Sequence, residues 1–147
     1  MDYVSSRSEN PSVKASAQLI QKLIDDQSIG NRIVRMRWKV IHDSSPALSL
    51  LTSDRPVAIT NGIIHERSQI ILPISPEHVF VATNNASAER EIMEIARARQ
   101  LIPQLNDRIA RQSRKFVYAY DESQFRFVSK RIGLKLVADP LENLPLG

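Results

Sequence analysis

The sequence predicts an α+β fold: a mainly antiparallel sheet over about residues 32–83, packed with N-terminal and C-terminal helices. Three observations predict it. Strand-period segments cluster in the middle of the 147 residues, segments of helical period lie at both ends, and strand and helix never alternate as a βαβ repeat would require. A chain of this length can bury roughly 70% of its unfolded surface, so it needs neither disulfide nor metal to fold.

Taken in order, residues 1–12 are serine-rich and lack apolar periodicity, which predicts a flexible lead-in. Residues 13–27 read as a helix: Val13, Ala17, Ile20, Leu23 and Ile24 share one face, and Gly30 follows as a stop. Over 32–42 the period changes to two, predicting a half-buried strand with Val34, Met36, Trp38 and Val40 facing in. Asp43-Ser44-Ser45-Pro46 breaks it.

Asn61-Gly62 then sits between two β-prone runs, 57–60 and 63–66. Asn-Gly favours a type I′ turn, with positive φ at both residues. The predicted hairpin places Ile59 opposite Ile64 and Ala58 opposite His65. Residues 69–74 and 78–83 read as two further strands, joined across Pro73-Ile74-Ser75-Pro76-Glu77.

The remainder is mostly helical. A helix over 86–100 carries Ile92, Ile95, Ala96 and Arg99 on one stripe. Pro103 suits the first turn of the next, which runs to about 114 with Leu105, Ile109 and Ala110 inward. Residues 116–120 fit either a strand or a helix extension. Asp121, with Gln124 at the capping-box offset, opens a last helix that stops at Gly133. An irregular tail over 136–147 completes a single α+β domain spanning 13–135.

Composition excludes several kinds of chemistry. The chain has no cysteine, so disulfides, thiolate metal sites, iron–sulfur clusters and cysteine nucleophiles are absent, which suits a reducing cytoplasm. No run approaches the roughly 20 apolar residues of a membrane span, and the N-terminus lacks the apolar region of a secretory signal. No Gly-rich phosphate loop, His-Glu-x-x-His or Gly-x-Ser-x-Gly motif occurs. The three histidines, His42, His65 and His78, are scattered without metal-ligand spacing, so neither metal nor cofactor is expected.

The net charge of +4 is unevenly spread. Arg108, Arg111, Arg114, Lys115, Arg126, Lys130, Arg131 and Lys135 face only Asp121 and Glu122, while the rest of the chain is slightly acidic. Such asymmetry suits either a solvated helix face or a phosphate-binding one, with Arg108, Arg111, Arg114, Lys115 and Arg131 as the nucleic-acid candidates. Five of the eight aromatics, Phe116, Tyr118, Tyr120, Phe125 and Phe127, interleave with these cations. Alternation with Val117 and Ala119 favours core packing over a base-stacking platform.

Two further residues are candidates for catalysis. Asp54, within Thr52-Ser53-Asp54-Arg55-Pro56, is placed to act as a general base. An Asp before an X-Pro step is also an Asx-turn former, its carboxylate accepting nearby backbone N–H groups, and that reading leads. Asn106, beside Asp107 early in a helix, suits a cap or a bridge to a loop.

With these segments in view, the chain resembles a known family. Thr52-Ser53-Asp54-Arg55-Pro56-Val57, Leu72-Pro73-Ile74-Ser75-Pro76, Asn106 and Lys115-Phe116-Val117-Tyr118 follow the order found in the C-terminal half of the bacterial and phage family called domain of unknown function 4238. The resemblance covers roughly residues 38–133. It implies recurring positions at Asp54, Pro56, Asn106 and Tyr118, and no established activity. Members generally begin with a helical half carrying a His-Tyr-x-Pro-type motif that this sequence lacks. The resemblance therefore implies a non-enzymatic or incomplete domain, acting as a homo-oligomer or with a protein partner that covers the face left by the missing half. Nucleic-acid binding is the alternative, and a hydrolase built on Asp54 and Asn106 is the third.

Overall fold

The computed structural model describes residues 26–45 and 47–134. The helix expected over 13–27, the lead-in and the tail therefore lie almost wholly outside the described residues. The chain divides into two compact units, Met1–Arg35 and Met36–Gly147.

In the first unit the described element is helix α1, Gln27–Arg35. Asp26 opens it as a cap: its carboxylate accepts the Ser28 backbone N–H at 2.8 Å and the Ser28 hydroxyl at 2.6 Å, as helix starts favour. This corrects the strand expected from residue 32, since 32–35 complete the helix.

The second unit is a four-stranded antiparallel sheet with two helices packed on one face. Its strands are β1 (Arg37–His42), β3 (Ala58–Thr60), β4 (Gln69–Pro73) and β5 (His78–Thr83), in the order β1-β5-β4-β3. The pairings Ile41↔Val79, Ile71↔Val81 and Ala58↔Ile71 set one face of the sheet. Helices α2 (Ala86–Arg97) and α3 (Leu101–Gln112) lie against it. Ile41, Ile71, Val79 and Val81 join Ile92, Leu101, Leu105 and Ile109 in one buried cluster. The inward stripe expected for α3 at Leu105, Ile109 and Ala110 is buried throughout.

The β1 alternation is real, but the opposite residues face the helices. Trp38 is 57% and Val40 54% exposed, while Ile41 is in the core. Arg37 and Lys39 share the Ile41 side, where Glu89 of α2 pairs with them at 2.8 and 3.6 Å. A long cationic stem can lie over a sheet rim and put its head on a helix carboxylate. Periodicity alone does not rank that side against one carrying tryptophan.

The Asn-Gly turn is also corrected. Asn61 and Gly62 have positive φ, 60° and 71°, as the dipeptide predicts. Yet β3 pairs with 69–71 rather than 63–66: Ile59 faces Ile70 and Ala58 faces Ile71. The intervening residues form a folded loop whose carbonyls are taken by side chains. Asn84 Nδ2 donates to His65 at 2.6 Å, Asn85 Nδ2 donates to Glu66 at 2.9 Å, and Asn61 Nδ2 donates to Arg67 at 3.2 Å. Those bonds replace the ladder that a two-residue hairpin would have made.

The expected helix over 86–100 breaks at Ala98. Arg99 adopts φ 56°, and the Gln100 N–H donates to the Ile95 carbonyl at 3.0 Å. That is a Schellman-type stop with arginine where glycine is usual. Glycine would have marked it in the sequence.

Two short strands, β2 (Thr52–Ser53) and β6 (Val117–Tyr118), form a separate antiparallel ribbon. A 3-10 turn, Glu122–Gln124, then leads into helix α4, Phe125–Ser129. Asp121 caps the turn, accepting the Ser123 N–H at 2.9 Å. Gln124 does not complete a capping box, because its side chain is drawn into the core.

Candidate functional site

Asp54 and Asn106 both sit where chain segments distant in sequence are tied together. The Asp54 carboxylate accepts the backbone N–H groups of Arg114 at 3.0 Å and Lys115 at 2.9 Å, and the Asp54 N–H donates to the Phe116 carbonyl. Slight burial pushes its pKa up, and the amides of Lys115 and Arg114 outweigh that, holding it below 3.8. The local turn is made instead by Ser53, whose hydroxyl accepts the Arg55 N–H at 3.0 Å. Asp54 thus clamps the segment just after α3 to the end of β2.

Asn106 is wholly buried. Its Oδ1 accepts the Leu51 N–H at 2.9 Å, and its Nδ2 donates to the Ser49 carbonyl at 2.8 Å and to Gln124 Oε1 at 3.0 Å. Gln124 Nε2 donates to the same Ser49 carbonyl at 2.8 Å. The amide's hydrogen-bonding capacity is largely used within the fold. Asn106 is buried while Asp54 is exposed, and the two hold different segments of the chain.

The five nucleic-acid candidates separate into three settings. Arg108 is half-buried, its guanidinium donating to the Ile59 carbonyl. Arg111 and Arg131 both bond to Asp107, at 2.9 and 2.7 Å. Burial pushes the Asp107 carboxyl up, but the Arg131 and Arg111 hydrogen bonds bring it below 3.8. Arg131 also lies over the Phe127 ring, 3.9 Å from its centroid. Arg114 and Lys115 are exposed beside the Asp54 clamp.

The aromatics differ most from expectation. Phe116 and Tyr118 are each 56% exposed, Tyr120 is 77% and Phe125 73%. Phe116 and Tyr118 stack with centroids 6.4 Å apart and planes 22° from parallel. Core packing holds only for Phe127, which lies against the buried cluster with Val117. In β6 the valine side faces the core, so the larger side chains project outward. The alternation was legible in the sequence, but which face the fold would cover was not.

These features define an α+β protein with an exposed aromatic strip flanked by cations. The chain belongs to the family described as "Protein of unknown function (DUF4238)", whose model matches residues 3–123. That span begins well before Trp38, where the motif resemblance begins, and stops short of Gly133. No curated protein and no solved structure matches the chain. Among the described residues no helix is long and apolar enough to cross a membrane, and no group of three or more His, Asp or Glu is arranged to hold a metal.

Proposed function

We propose that this protein works by self-association, the strip over residues 114–126 binding a second copy of the chain about a two-fold axis. The supporting observation is that Phe116, Tyr118, Tyr120 and Phe125 stay more than half exposed while Val117 and Phe127 beside them are packed. An aromatic side chain buries roughly 150–250 Å². Four of them offer much of the roughly 800 Å² per partner that a standard interface needs.

Charge order along the strip suits a two-fold contact. Arg114 and Lys115 lie at one end, Asp121 and Glu122 toward the other, so an isologous arrangement sets the basic end of each copy against the acidic end of its mate. The reading gives Asp54 and Asn106 structural tasks and needs no catalytic step. The cytoplasm is the compartment it assumes, consistent with a cysteine-free chain.

Sedimentation equilibrium over roughly a hundredfold concentration range tests it, because a reversible dimer follows mass action. The native protein is expected to shift from monomer to dimer mass. Tyr120→Ser combined with Phe125→Ser is expected to stay monomeric with nearly unchanged thermal stability, since both side chains are exposed. A native protein that remains monomeric throughout overturns the proposal.

One observation favours a second reading. The Phe116–Tyr118 stack lies next to Arg114 and Lys115 in the chain, a combination that suits single-stranded nucleic acid. With two cations free for phosphates, the logarithm of affinity would fall with log salt at a slope of about −1.4. A labelled oligonucleotide that fails to bind at low salt removes this reading.

A further inference from the structure

A cleft of about 370 Å³ opens between α2, α3 and the β3–β4 edge of the sheet, a volume typical of small-molecule sites. Its floor is apolar, formed by Ile71, Ile92, Leu101 and Leu105. Its polar lining residues are Thr60, Asn61, Gln69, Glu91, Gln104 and Arg108.

Arg108 is unusual within this cleft. Its guanidinium is half-buried, and its Nε has no hydrogen-bond partner. Among the described residues no acid lies within ion-pair distance of it. Burial alone moves its pKa, downward from the usual arginine range, with no opposing carboxylate. Thr60, another lining residue, has its Oγ1 likewise buried without a partner. Glu91 pairs outward with Arg67 at 4.0 Å and does not neutralise Arg108. A partly desolvated cation and an unsatisfied hydroxyl beside one apolar floor are both costly unless something complements them.

We propose that this cleft binds a small organic acid, its carboxylate held by Arg108 and Thr60 and its apolar body resting on Ile71, Leu101 and Leu105. One guanidinium and one hydroxyl match a single planar carboxylate, which accepts paired N–H bonds. A phosphate, carrying more charge, would be left short of donors. With Nη2 on the Ile59 carbonyl at the sheet edge, Nε is the Arg108 donor left for such a ligand.

The test compares benzoate, benzamide and inorganic phosphate as probes, read by thermal shift and by titration of backbone amide resonances. Benzoate is expected to raise the melting temperature saturably and to shift the Thr60 and Gln104 amides; benzamide and phosphate are not. Arg108→Met keeps the stem but removes the charge, and should weaken benzoate about tenfold or more. Because that variant also loses the Ile59 bond, Thr60→Val is the second arm. It should leave stability equal or higher, by removing an unpartnered hydroxyl, yet weaken benzoate roughly three- to tenfold. Benzamide or phosphate matching benzoate, resonance shifts mapping elsewhere, or Thr60→Val binding benzoate as the native protein does would each overturn the proposal. None of these results bears on self-association, which concerns a different surface.

Discussion

Asp54 lies 60 residues before Arg114 in the chain, yet its carboxylate holds two consecutive amides just after α3. The sequence suggested an Asx turn, which Ser53 makes instead; the distant partners of Asp54 were not legible, since nothing local announces them. Replacing it with alanine should cost about 1 kcal/mol at neutral pH, a charge-assisted pair of bonds discounted for exposure. The folded carboxyl is held below 3.8, so its contribution is fully present above the unfolded value and is lost as pH falls through the folded pKa. Urea melts of native and Asp54→Ala proteins should therefore converge in acid. An equal gap at neutral pH and well below 3.8 would show that ionisation is not what the clamp uses.

At the scale of elements, α3 does more than present an apolar stripe. Arg108 and Gln112, one turn apart, donate to the carbonyls of Ile59, Arg55 and Val57. They cover the β3 edge, which would otherwise offer unpaired backbone to another chain. On the buried side Asn106 stitches α3 to Ser49, Leu51 and Gln124. Asn106→Ala strands a buried N–H and leaves Gln124 without its donor, so it should cost about 3 kcal/mol. A double-mutant cycle with Gln124→Ala, read by denaturant melts, should give a coupling of about 1 kcal/mol. Simple additivity would mean that the two amides act independently. The sequence offered Asn106 as an early-helix polar residue, because its partners lie 55 and 57 residues upstream.

Across the second unit, the order β1-β5-β4-β3 puts β5 between two long partners. Val79, Val81 and Ala82 are essentially without exposure, and α2 packs over the strand. Amides of β5 should thus exchange hydrogen most slowly, at the rate of global unfolding, while those in the 61–68 loop exchange by local opening. Hydrogen-exchange mass spectrometry checks this. Fast exchange in β5 would contradict the sheet order. Strand β5 was read from the sequence with its observed boundaries, but its partner β1 comes from a segment some 36 residues earlier, past β2, β3 and β4.

The sequence by itself determined the class of fold, the family motifs, β5, the inward stripe of α3 and the positive φ of Asn61 and Gly62. All follow from local physics: side-chain period, proline and glycine geometry, and short-range capping. Tertiary structure alone decided which face of each alternating segment meets the helices, turning Trp38 outward in β1 and Phe116, Tyr118 and Tyr120 outward around β6. It also separated the nucleic-acid candidates, spending Arg111 and Arg131 on Asp107 and drawing Arg108 into a cleft. Both outcomes have one cause. A period of two makes two faces, and a run of arginines lists charges, but which face is covered and which charge is paired depends on segments dozens of residues away.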